Sequence, residues 1–455
     1  MKIVIVGLTV TGNHLASLLA EEHHDVTVIS KEEKMCKSIT DRYSVNAVCG
    51  NASSKEILTR AGVPTSDVIV CLTESDETNL HIALMAKKMG CSYAAVMLMD
   101  PAVYAEREEL AKIYQVDFFA NPRNAIAEAM VRQLGLPAKV RADGYFEQAA
   151  TIIRFVIGED SPLCKLTVQK AKEFLNEKIL VAAVCRKEHV TVPHGEFVLE
   201  AGDEISILTG NDIIREVAVK LKCLQKPVKK VFLVGCGSVG SYLVEKLLEE
   251  KIGVTIVDVD HEKCIKLRET MPPSVEVNYV ERLDAEELKA LQIHRHDAVV
   301  LLTGADDVNL VITMFAWSLS VSSILTKIDM PTYETIFNKA NLALAFSPAS
   351  LCGNNFVTFI RNVEVYNDQG NDINQIYPIA GGAAETIEFI AYDTSKGLHT
   401  PLKDLAKQFK KDVLIGAIIR DKKLMIPDGQ TTIEPGDRVI VVTKERLRTL
   451  NEIYK

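Results

Sequence analysis

Four apolar residues lead directly into three spaced glycines in the stretch Val231-Phe232-Leu233-Val234-Gly235-Cys236-Gly237-Ser238-Val239-Gly240. A GxGxxG pattern between a strand and a helix permits a tight turn, close approach of a pyrophosphate to the backbone, and close packing of helix on strand. The N-terminus of the following helix supplies oriented N–H groups for an anion. The stretch therefore predicts the first strand, loop and helix of a parallel-sheet α/β fold.

The strand after this helix ends in an acidic residue. Val254-Thr255-Ile256-Val257-Asp258 places Asp258 about 20 residues beyond the glycines, where a carboxylate can bond the ribose hydroxyls of a dinucleotide. A glycine turn that holds no ligand is the alternative interpretation. Cys236 has no neighbouring base in the sequence, so we expect no chemistry from its thiol.

The chain repeats this pattern at an offset of about 230 residues. Five pairs of segments match in order: Gly7–Gly12 with Gly235–Gly240, Thr73–Asn79 with Thr303–Asn309, Asn121-Pro122 with Ser347-Pro348, Val192–Gly195 with Ile426–Gly429, and Glu200–Asp203 with Glu434–Asp437. A fixed offset over ordered matches is the signature of an internal repeat. The protein is therefore two copies of one unit of about 225 residues, here called repeat one and repeat two.

Each repeat has two parts with different patterns. Residues 1–138 and 228–362 alternate apolar strands with amphipathic helices, which is typical of βαβ units in a parallel sheet. Residues 143–222 and 384–455 contain short strands separated by turns, which predict a small α+β lobe. The segment from Lys226 to Lys230 is interpreted as the linker between the repeats.

Repeat one departs from the glycine and acid pattern at two positions. Thr9 stands where the middle glycine would be, and Ser30 ends the second strand in place of the acid. A side chain at Thr9 obstructs backbone access for a pyrophosphate. A mononucleotide, a differently placed phosphate and a purely structural role all remain open for this half.

A loop of pattern Thr-x-x-Asp-[Glu/Asp]-x-Asn follows the predicted fourth strand in each repeat. The carboxyl edge of a parallel sheet is where ligands of such folds bind, so Thr73 and Thr303 are candidate contacts. The alternative is a capping loop in which Asp76 and Asp306 are N-cap residues of the next helix. Asn79 and Asn309 are expected to be structural.

Composition excludes several classes of protein. The chain has 52 basic and 61 acidic residues and a net charge of -9, so no overall positive field attracts nucleic acid. Ten cysteines are spaced too widely for CxxC redox or zinc motifs, which favours a reducing cytosol. The N-terminus enters a strand pattern at once and does not resemble a secretory signal.

The uncharged residues 308–326 are interpreted as a buried helix at a subunit or domain contact rather than a membrane span.

Nothing in the sequence supports catalysis or metal binding. A dehydrogenase needs a catalytic domain with an acid or base, whereas each α/β part precedes a lobe of only about 80 residues. The histidine pairs His23-His24 and His294-x-His296 lack the spacing and the third ligand of a metal site. We therefore expect a protein that is not an enzyme.

The doubled order of these motifs resembles the TrkA family, the peripheral regulatory subunits of bacterial and archaeal Trk potassium uptake systems. The resemblance covers essentially the whole chain and rests on the glycine loop, the strand-terminal acid, the Thr-x-x-Asp loop, the Asn/Ser-Pro pair and the Gly-Asp of the lobe. It implies tandem RCK modules, each a Rossmann-like domain followed by a small C-terminal lobe. It further implies a cytosolic, non-enzymatic homo-oligomer, a dimer of dimers, that gates a membrane-embedded potassium channel subunit.

The resemblance also implies ligands and positions. NAD(H), and ATP or ADP, are the nucleotides of the family. In repeat two its nucleotide positions fall on Gly235, Cys236, Gly237, Ser238, Val239, Gly240, Asp258, Thr303 and Gly304, with Lys327 where family members often carry arginine. The weaker counterparts in repeat one are Gly7, Leu8, Thr9, Val10, Thr11, Gly12, Ser30, Thr73 and Glu74, with no basic residue on the strand that corresponds to that of Lys327.

Two other functions remain open at this point. An NAD-dependent oxidoreductase with tandem Rossmann-like domains would require a catalytic base. A sensor that binds a cyclic dinucleotide in its small lobes is the other alternative, and neither Ile152–Leu208 nor Thr386–Val442 decides it.

Overall fold

The structure is a computed structural model of the chain. It describes residues 1–455 except 135, 137–139, 146–149, 177, 188, 211–212, 222–227, 331–332, 334–335, 338–342, 367–371, 381–382, 422 and 446. Lys226 and Pro227 of the expected linker lie outside the described residues, and Lys230 already begins a strand.

Repeat one opens with alternating strands and helices. The strands are β1 (Lys2–Val6), β2 (Asp25–Ser30), β3 (Asn46–Cys49), β4 (Val68–Cys71), β5 (Tyr93–Met97) and β6 (Phe118–Ala120). The helices are α1 (Val10–Glu21), α2 (Glu33–Arg42), α3 (Lys55–Arg60), α4 (Asp76–Met89), α5 (Pro101–Ala105), α6 (Arg107–Tyr114) and α7 (Pro122–Gln133). Among the described residues these strands form one parallel sheet of order β3-β2-β1-β4-β5-β6. That order reverses between β1 and β4, which opens a crevice at the carboxyl ends of the strands.

The small lobe of repeat one is antiparallel. Its strands are β7 (Val140–Tyr145), β8 (Ala150–Val156), β9 (Ile179–Arg186), β10 (His189–Thr191) and β11 (Glu204–Thr209), and its helices are α8 (Val168–Leu175) and α9 (Ile214–Lys220). The described part of this sheet has the order β10-β9-β11-β8-β7.

Repeat two has the same two parts. Its α/β part contains β12 (Lys230–Val234), β13 (Gly253–Asp258), β14 (Val275–Tyr279), β15 (Ala298–Leu301), β16 (Ser323–Lys327) and β17 (Leu344–Phe346), with α10 (Ser238–Glu249), α11 (His261–Thr270), α12 (Ala285–Ala290), α13 (Asp306–Ser318) and α14 (Pro348–Tyr366). Its lobe contains β18 (Ile373–Ile379), β19 (Ala384–Ile390), β20 (Val413–Arg420), β21 (Lys423–Met425) and β22 (Arg438–Thr443), with α15 (Leu402–Leu405). The sheet orders, β14-β13-β12-β15-β16-β17 and β18-β19-β22-β20-β21, repeat those of the first half. The predicted fold class, two Rossmann-like sheets each followed by a small α+β lobe, is confirmed.

The chain divides into two compact units that each combine both repeats. One unit consists of Met1–Val131 and Val228–Val363, the two parallel-sheet parts. The other consists of Arg132–Pro227 and Glu364–Lys455, the two small lobes. Within the chain, the α/β part of one repeat is therefore grouped with that of the other, and so are the two lobes.

Helix α14 joins the two α/β parts because it packs on the sheet of the other repeat. Cys352, Phe356 and Ile360 are fully buried in the same core cluster as Ile3, Leu15 and other residues of repeat one. Phe118 of β6 stacks on Phe359 with ring centroids 5.0 Å apart. Burial of a large aromatic side chain contributes on the order of 1.5–3 kcal/mol, so this helix is a major part of the contact.

Polar bonds reinforce the same contact. Asn121 Nδ2, at the start of α7, donates to the Tyr242 hydroxyl of α10 over 3.1 Å. Lys246 Nζ of α10 lies 3.5 Å from Glu128 Oε1 of α7. Each repeat thus places its last α/β helix against the other repeat.

In the second unit the two lobes share a core of their own. Ile152 and Leu208 of repeat one are buried in one cluster with Ala417, Ile440 and Val442 of repeat two. Gly416 in β20 is closely surrounded, because an added Cβ would lie 3.3 Å from Leu180 Cδ2 and 3.2 Å from Val442 Cγ2.

The repeated Gly-Asp of the lobes is explained by a buried carboxylate. Asp203 accepts hydrogen bonds from Arg186 Nε at 2.7 Å and Arg186 Nη2 at 2.8 Å, and from the Glu200 N–H at 2.8 Å. Asp437 and Arg420 form the same bidentate pair in repeat two. The hydrogen bonds to the carboxylate raise the pKa of Arg186 and of Arg420 above the ordinary value. They outweigh burial, which lowers the pKa of both arginines.

Two sequence expectations need correction. The helix N-caps are Ser75 and Ala305, so the prediction that Asp76 and Asp306 occupy that position is wrong by one residue. Instead the buried carboxylate of Asp76 accepts from the Met99 N–H, and that of Asp306 accepts from the Met330 N–H, which fixes the loop after the next strand.

The uncharged stretch 308–326 is not one helix. Helix α13 ends at Ser318 and β16 begins at Ser323, because the second half of the stretch is needed as a sheet strand. One face of α13 is exposed in the single chain, at Val311, Met314 and Trp317, so the expected subunit contact stays a prediction. In the part of the chain that the structure describes, no helix has the length and apolar character to cross a membrane.

The ion pair between Glu22 and Arg361 predicts a pH dependence of the contact between the repeats. Arg361 Nη2 of α14 donates to Glu22 Oε1 over 2.5 Å. Burial raises the pKa of Glu22, but hydrogen bonds from His24 and Arg361 outweigh burial and lower the pKa from 4.5 to about 2. The carboxylate therefore stabilises the fold above about pH 4.5, and this contribution is lost as the pH falls toward 2.

We expect Glu22→Gln to lower the free energy of unfolding by roughly 1–2 kcal/mol at pH 7, because a charge-assisted hydrogen bond is lost. The difference from the unsubstituted protein should shrink below pH 4.5, as measured by urea midpoints over a pH series. Glu33→Gln is the matched control, because its ion pair with Lys37 is exposed on both sides and contributes little. Equal losses in the two variants at pH 7 would contradict the prediction.

Candidate functional site

The glycine turn of repeat two is enforced by its surroundings. Gly235 has φ +81°, and an added Cβ would lie 2.8 Å from the Thr303 Cα and 2.9 Å from the Leu302 carbonyl oxygen. At Gly240 an added Cβ would lie 2.9 Å from Cys236 Sγ. Gly237 differs, because nothing lies within 4 Å of its added Cβ. The first glycine is required by the backbone of the turn, the third is favoured by its close contact with the Cys236 side chain, and the middle one leaves open space.

Helix α10 begins at this turn without a side-chain cap. Gly237 is its N-cap residue, and no side chain accepts a hydrogen bond from the first turn. Gly237 and Ser238 are exposed. The uncapped N–H groups and the helix dipole make this end a favourable position for an anion.

Asp258 at the end of β13 is tied to the turn. It is 5% exposed, its Oδ2 accepts from the Cys236 N–H at 2.9 Å, and its Oδ1 accepts from the Asp260 N–H at 3.1 Å. Lys263 Nζ of α11 also donates to Oδ2. Burial raises the pKa of Asp258, but these hydrogen bonds, with that from Lys263 the largest, bring it below its ordinary value. Asp258 is therefore a carboxylate whose oxygens already have partners.

The loop after β15 forms the opposite side of the site. Thr303 Oγ1 lies 2.7 Å from Asn309 Oδ1, and Asn309 Nδ2 donates to the Lys327 carbonyl over 3.1 Å. Gly304 has φ +79° and open space where a Cβ would stand. Asn309 thus joins the ends of β15 and β16, which confirms the structural role expected of it.

These residues enclose a cavity of about 260 Å³ at the carboxyl edge of the sheet. Its walls are formed by residues of the glycine turn and the start of α10, the ends of β13, β15 and β16, the loop after β14, and α11: Gly235, Gly237, Ser238, Val239, Asp258, Val259, Lys263, Leu283, Leu302, Thr303, Gly304 and Lys327. Of the predicted positions in repeat two, only Cys236 and Gly240 are not part of the wall. The volume is slightly below the range of about 300–1,000 Å³ of small-molecule sites, so it suits part of a nucleotide.

Two ammonium groups line the cavity, each beside a carboxylate. Lys263 pairs with Asp258, and Lys327 pairs with Asp329. Lys327 is 17% exposed, whereas Asp329 is 46% exposed and so is more easily solvated. An anionic ligand can therefore pair with Lys327 without leaving a buried carboxylate unpaired, whereas pairing with Lys263 would remove the ion pair of the buried Asp258.

Burial disfavours the reactive thiolate form of Cys236. Burial, the largest influence, raises the pKa of its thiol to about 11, so the neutral form persists at physiological pH. The described residues also contain no cluster of three or more histidine, cysteine, aspartate or glutamate side chains that could hold a metal ion.

Repeat one has the same turn with a different helix terminus. Gly7 has φ +96°, an added Cβ there would lie 2.8 Å from the Leu72 carbonyl oxygen, and an added Cβ at Gly12 would lie 2.1 Å from the Gly7 carbonyl oxygen. Thr9 is the N-cap of α1, and its hydroxyl accepts from the Gly12 N–H over 3.2 Å. The threonine side chain thus takes the N–H that an anion would use.

The other positions of repeat one also lack the contacts of repeat two. Ser30 Oγ accepts from the Glu32 N–H at 3.2 Å rather than from the glycine turn. Thr73 bonds Asn79, as its counterpart does, but Glu74 is exposed and replaces the open Gly304. Leu8 and Thr11 are buried and Val10 is exposed.

Sequence reasoning missed Lys263, Val259 and Leu283. Lys263 lies one turn into α11, five residues beyond Asp258, and no motif marks it. Val259 directly follows the predicted acid, so its place on the wall could have been inferred from Asp258. Leu283 comes from the loop after β14 and carried no signal.

Comparison with known domain families gives a doubled match. The TrkA-N domain matches residues 3–118 and 231–348, and the TrkA-C domain matches residues 152–222 and 387–454. These matches follow the order α/β part, lobe, α/β part, lobe that the structure shows.

Similar proteins extend over the full chain. A Trk system potassium uptake protein TrkA homolog of Archaeoglobus fulgidus is 28% identical over 100% of both chains, and the Trk system potassium uptake protein TrkA of Vibrio alginolyticus is 26% identical over 100% of this chain and 99% of its own. Among solved structures, the GsuK channel bound to NAD has a TM-score of 0.62 at 15% identity and covers 97% of this chain and 76% of its own, which shows a shared fold. The GsuK RCK domain gives 0.59 at 15% identity, with 97% and 92% covered. With both domain types present twice in the same order, the chain belongs to the TrkA family.

Proposed function

We propose that the protein is a nucleotide-binding regulatory subunit that gates a membrane-embedded Trk-type potassium channel subunit. The observation that supports this most strongly is the uncapped glycine turn of repeat two, which opens on the cavity between Asp258 and Lys327. Its full-length relatives are named as potassium uptake proteins. No catalytic group is part of the proposal.

NAD(H) is the proposed ligand of this cavity, with ATP or ADP as further adenine nucleotides. The phosphates would lie at the N-terminus of α10, where Gly237 leaves space and the N–H groups have no side-chain acceptor. The ribose would approach Asp258, and Lys327 would face an anionic part of the ligand. Since Asp258 already bonds Lys263, ribose hydroxyls must share the carboxylate with that lysine or replace it.

Repeat one is proposed as the weaker position or as a structural copy. Thr9 supplies from within the protein the acceptor that a phosphate would otherwise provide. A nucleotide there must displace this hydroxyl, at a cost of about 0.5–2 kcal/mol typical of a lost N-cap. The proposed site residues are therefore those of repeat two first and those of repeat one second.

Nucleotide binding would act on the channel through the shape of the assembly. A ligand shifts a two-state equilibrium only by its difference in affinity for the two states. Each proposed site lies at the carboxyl edge of a sheet whose other elements contact the opposite repeat, as α10 of repeat two contacts repeat one through Tyr242. The proposed domains are 1–138, 143–222, 228–362 and 384–455, and the proposed location is cytoplasmic, at the inner face of the cell membrane.

We propose that α13 of repeat two contributes to a homo-oligomer, a dimer of dimers. Val311, Met314 and Trp317 are 66%, 54% and 58% exposed and follow one another at three-residue spacing on this helix. An exposed apolar face of this kind is typical of a protein contact. The corresponding positions of α4 in repeat one are His81, Leu84 and Lys87, so the stripe is confined to one repeat.

The nucleotide proposal predicts the result of thermal-shift titrations with NAD⁺, NADH, ATP and ADP. At a hundredfold excess over Kd a ligand adds about 2.7 kcal/mol to the stability of the folded state. We expect at least one of these nucleotides to raise the Tm of the protein, and Gly237→Val to abolish the shift. Gly237 has φ -79° and an open Cβ position, so the substitution should not disturb the fold.

Gly158→Val is the matched control, because Gly158 is an exposed glycine of a lobe with equally open space around its added Cβ. This variant should keep the full shift. Thr9→Gly should leave the principal shift unchanged and strengthen any second, weaker binding event. An unchanged shift in Gly237→Val would show that the turn of repeat two does not bind the nucleotide.

The oligomer proposal predicts that Met314→Glu or Trp317→Glu lowers the molar mass measured by light scattering after size exclusion. A charge in a buried apolar contact is strongly unfavourable. His81→Glu, at an exposed position of the equivalent helix α4, is the control and should retain the full mass. If the α13 variants keep the mass of the unsubstituted protein, the contact lies elsewhere.

A further inference from the structure

Repeat one holds two cysteines, Cys36 and Cys49, whose sulfur atoms lie at the carbonyl groups of two consecutive residues. Cys36 lies in α2 and is buried, and Cys49 ends β3 and is exposed. The nearby side chain of Cys49 helps to raise the pKa of the Cys36 thiol, after burial. Cys36 Sγ lies 3.8 Å from the Ser30 carbonyl oxygen, and Cys49 Sγ lies 3.6 Å from the carbonyl oxygen of the next residue, Lys31. Both sulfur atoms are therefore held at the same short segment of backbone.

The sheet places this pair at the end of the second strand. In the parallel ladder Ser30 of β2 is the partner of Cys49 of β3. The equivalent pair in repeat two is Asp258 and Tyr279. Cys49 thus stands beside the position at which repeat two carries the acid of its cavity.

Repeat two retains one of the two thiols. Cys264 of α11 corresponds to Cys36, and its Sγ lies at the same 3.8 Å from the carbonyl oxygen of the strand-terminal residue, here Asp258. Tyr279 replaces the second cysteine. A pair of cysteines at these two positions therefore occurs in repeat one and not in repeat two.

We propose that Cys36 and Cys49 form a reversible redox site that a peroxide oxidises to a disulfide. The exposed Cys49, as thiolate, attacks one oxygen of hydrogen peroxide, the O–O bond breaks, and sulfenic acid and hydroxide result. Cys36 then attacks the Cys49 sulfur and displaces hydroxide, which leaves as water with the Cys36 proton. Two thiols thus give up two electrons, and one peroxide becomes two waters.

The environments of the two sulfurs fit this order of events. Burial, followed by the nearby Cys49, raises the pKa of the Cys36 thiol, so Cys36 is a poor first nucleophile and the exposed partner reacts first. A disulfide would fasten α2 to the end of β3 beside Ser30. Oxidation would then act on repeat one and nucleotides on repeat two. The redox site does not depend on the proposed nucleotide function.

The test uses the full-length protein without added nucleotide. Reduced protein is treated with hydrogen peroxide, remaining thiols are alkylated, and the digest is analysed by mass spectrometry without reduction. We expect a cross-linked peptide containing Cys36 and Cys49, with the loss of two hydrogen atoms, that disappears on treatment with dithiothreitol. Cys264, the counterpart of Cys36 in a repeat where Tyr279 replaces Cys49, should be recovered in alkylated form.

Two variants separate the steps. In Cys36→Ser, Cys49 should accumulate as sulfenic acid that dimedone traps, and in Cys49→Ser, Cys36 should stay reduced. Absence of the cross-linked peptide under conditions that oxidise Cys49 would overturn the proposal, as would a Cys49 disulfide formed only between chains. Because no nucleotide is present, either result leaves the proposed nucleotide site untouched.

Discussion

The close approach of the first strand–helix turn to the loop after the fourth strand is the constraint on which the α/β parts depend. At Gly235 an added Cβ would lie 2.8 Å from Thr303, and at Gly7 it would lie 2.8 Å from the Leu72 carbonyl oxygen. Both glycines also have positive φ, which other residues adopt at a cost. This contact fixes the position of the glycine turn and of the helix N-terminus that follows it. Both line any ligand site at the carboxyl edge of the sheet.

Given that shared turn, side chains at two positions distinguish the repeats. In repeat one the Thr9 hydroxyl caps α1, whereas at the equivalent Gly237 no side chain caps α10. The second difference lies at the end of the second strand, where Ser30 accepts a hydrogen bond from its own loop and Asp258 accepts one from the glycine turn. The repeats therefore share a framework but offer different side chains to a ligand. A ligand that binds one repeat acts on a structure that both repeats form together.

Much of this could be predicted from the sequence because it depends on local pattern. The glycine spacing, the apolar strands and the doubled order were enough for the fold class, for the position of Asp258 and for the structural role of Asn309. The edge strands β7, β10, β18 and β21 were not foreseen, because β10 and β21 have only three residues and polar residues interrupt the apolar ones in β7 and β18. The N-cap prediction failed because the Asp76 and Asp306 carboxylates bond a distant loop. Lys263 and the packing of α14 on the other repeat depend on tertiary contacts that no local spacing encodes.

The most direct test of the central claim is potassium flux through the Trk channel subunit of the same organism, reconstituted in liposomes with this protein. The account predicts that a nucleotide which binds the protein changes the flux, and that Gly237→Val removes this response while the variant still associates with the channel. A nucleotide response that survives Gly237→Val unchanged, or a flux that this protein does not alter under any nucleotide, would contradict it.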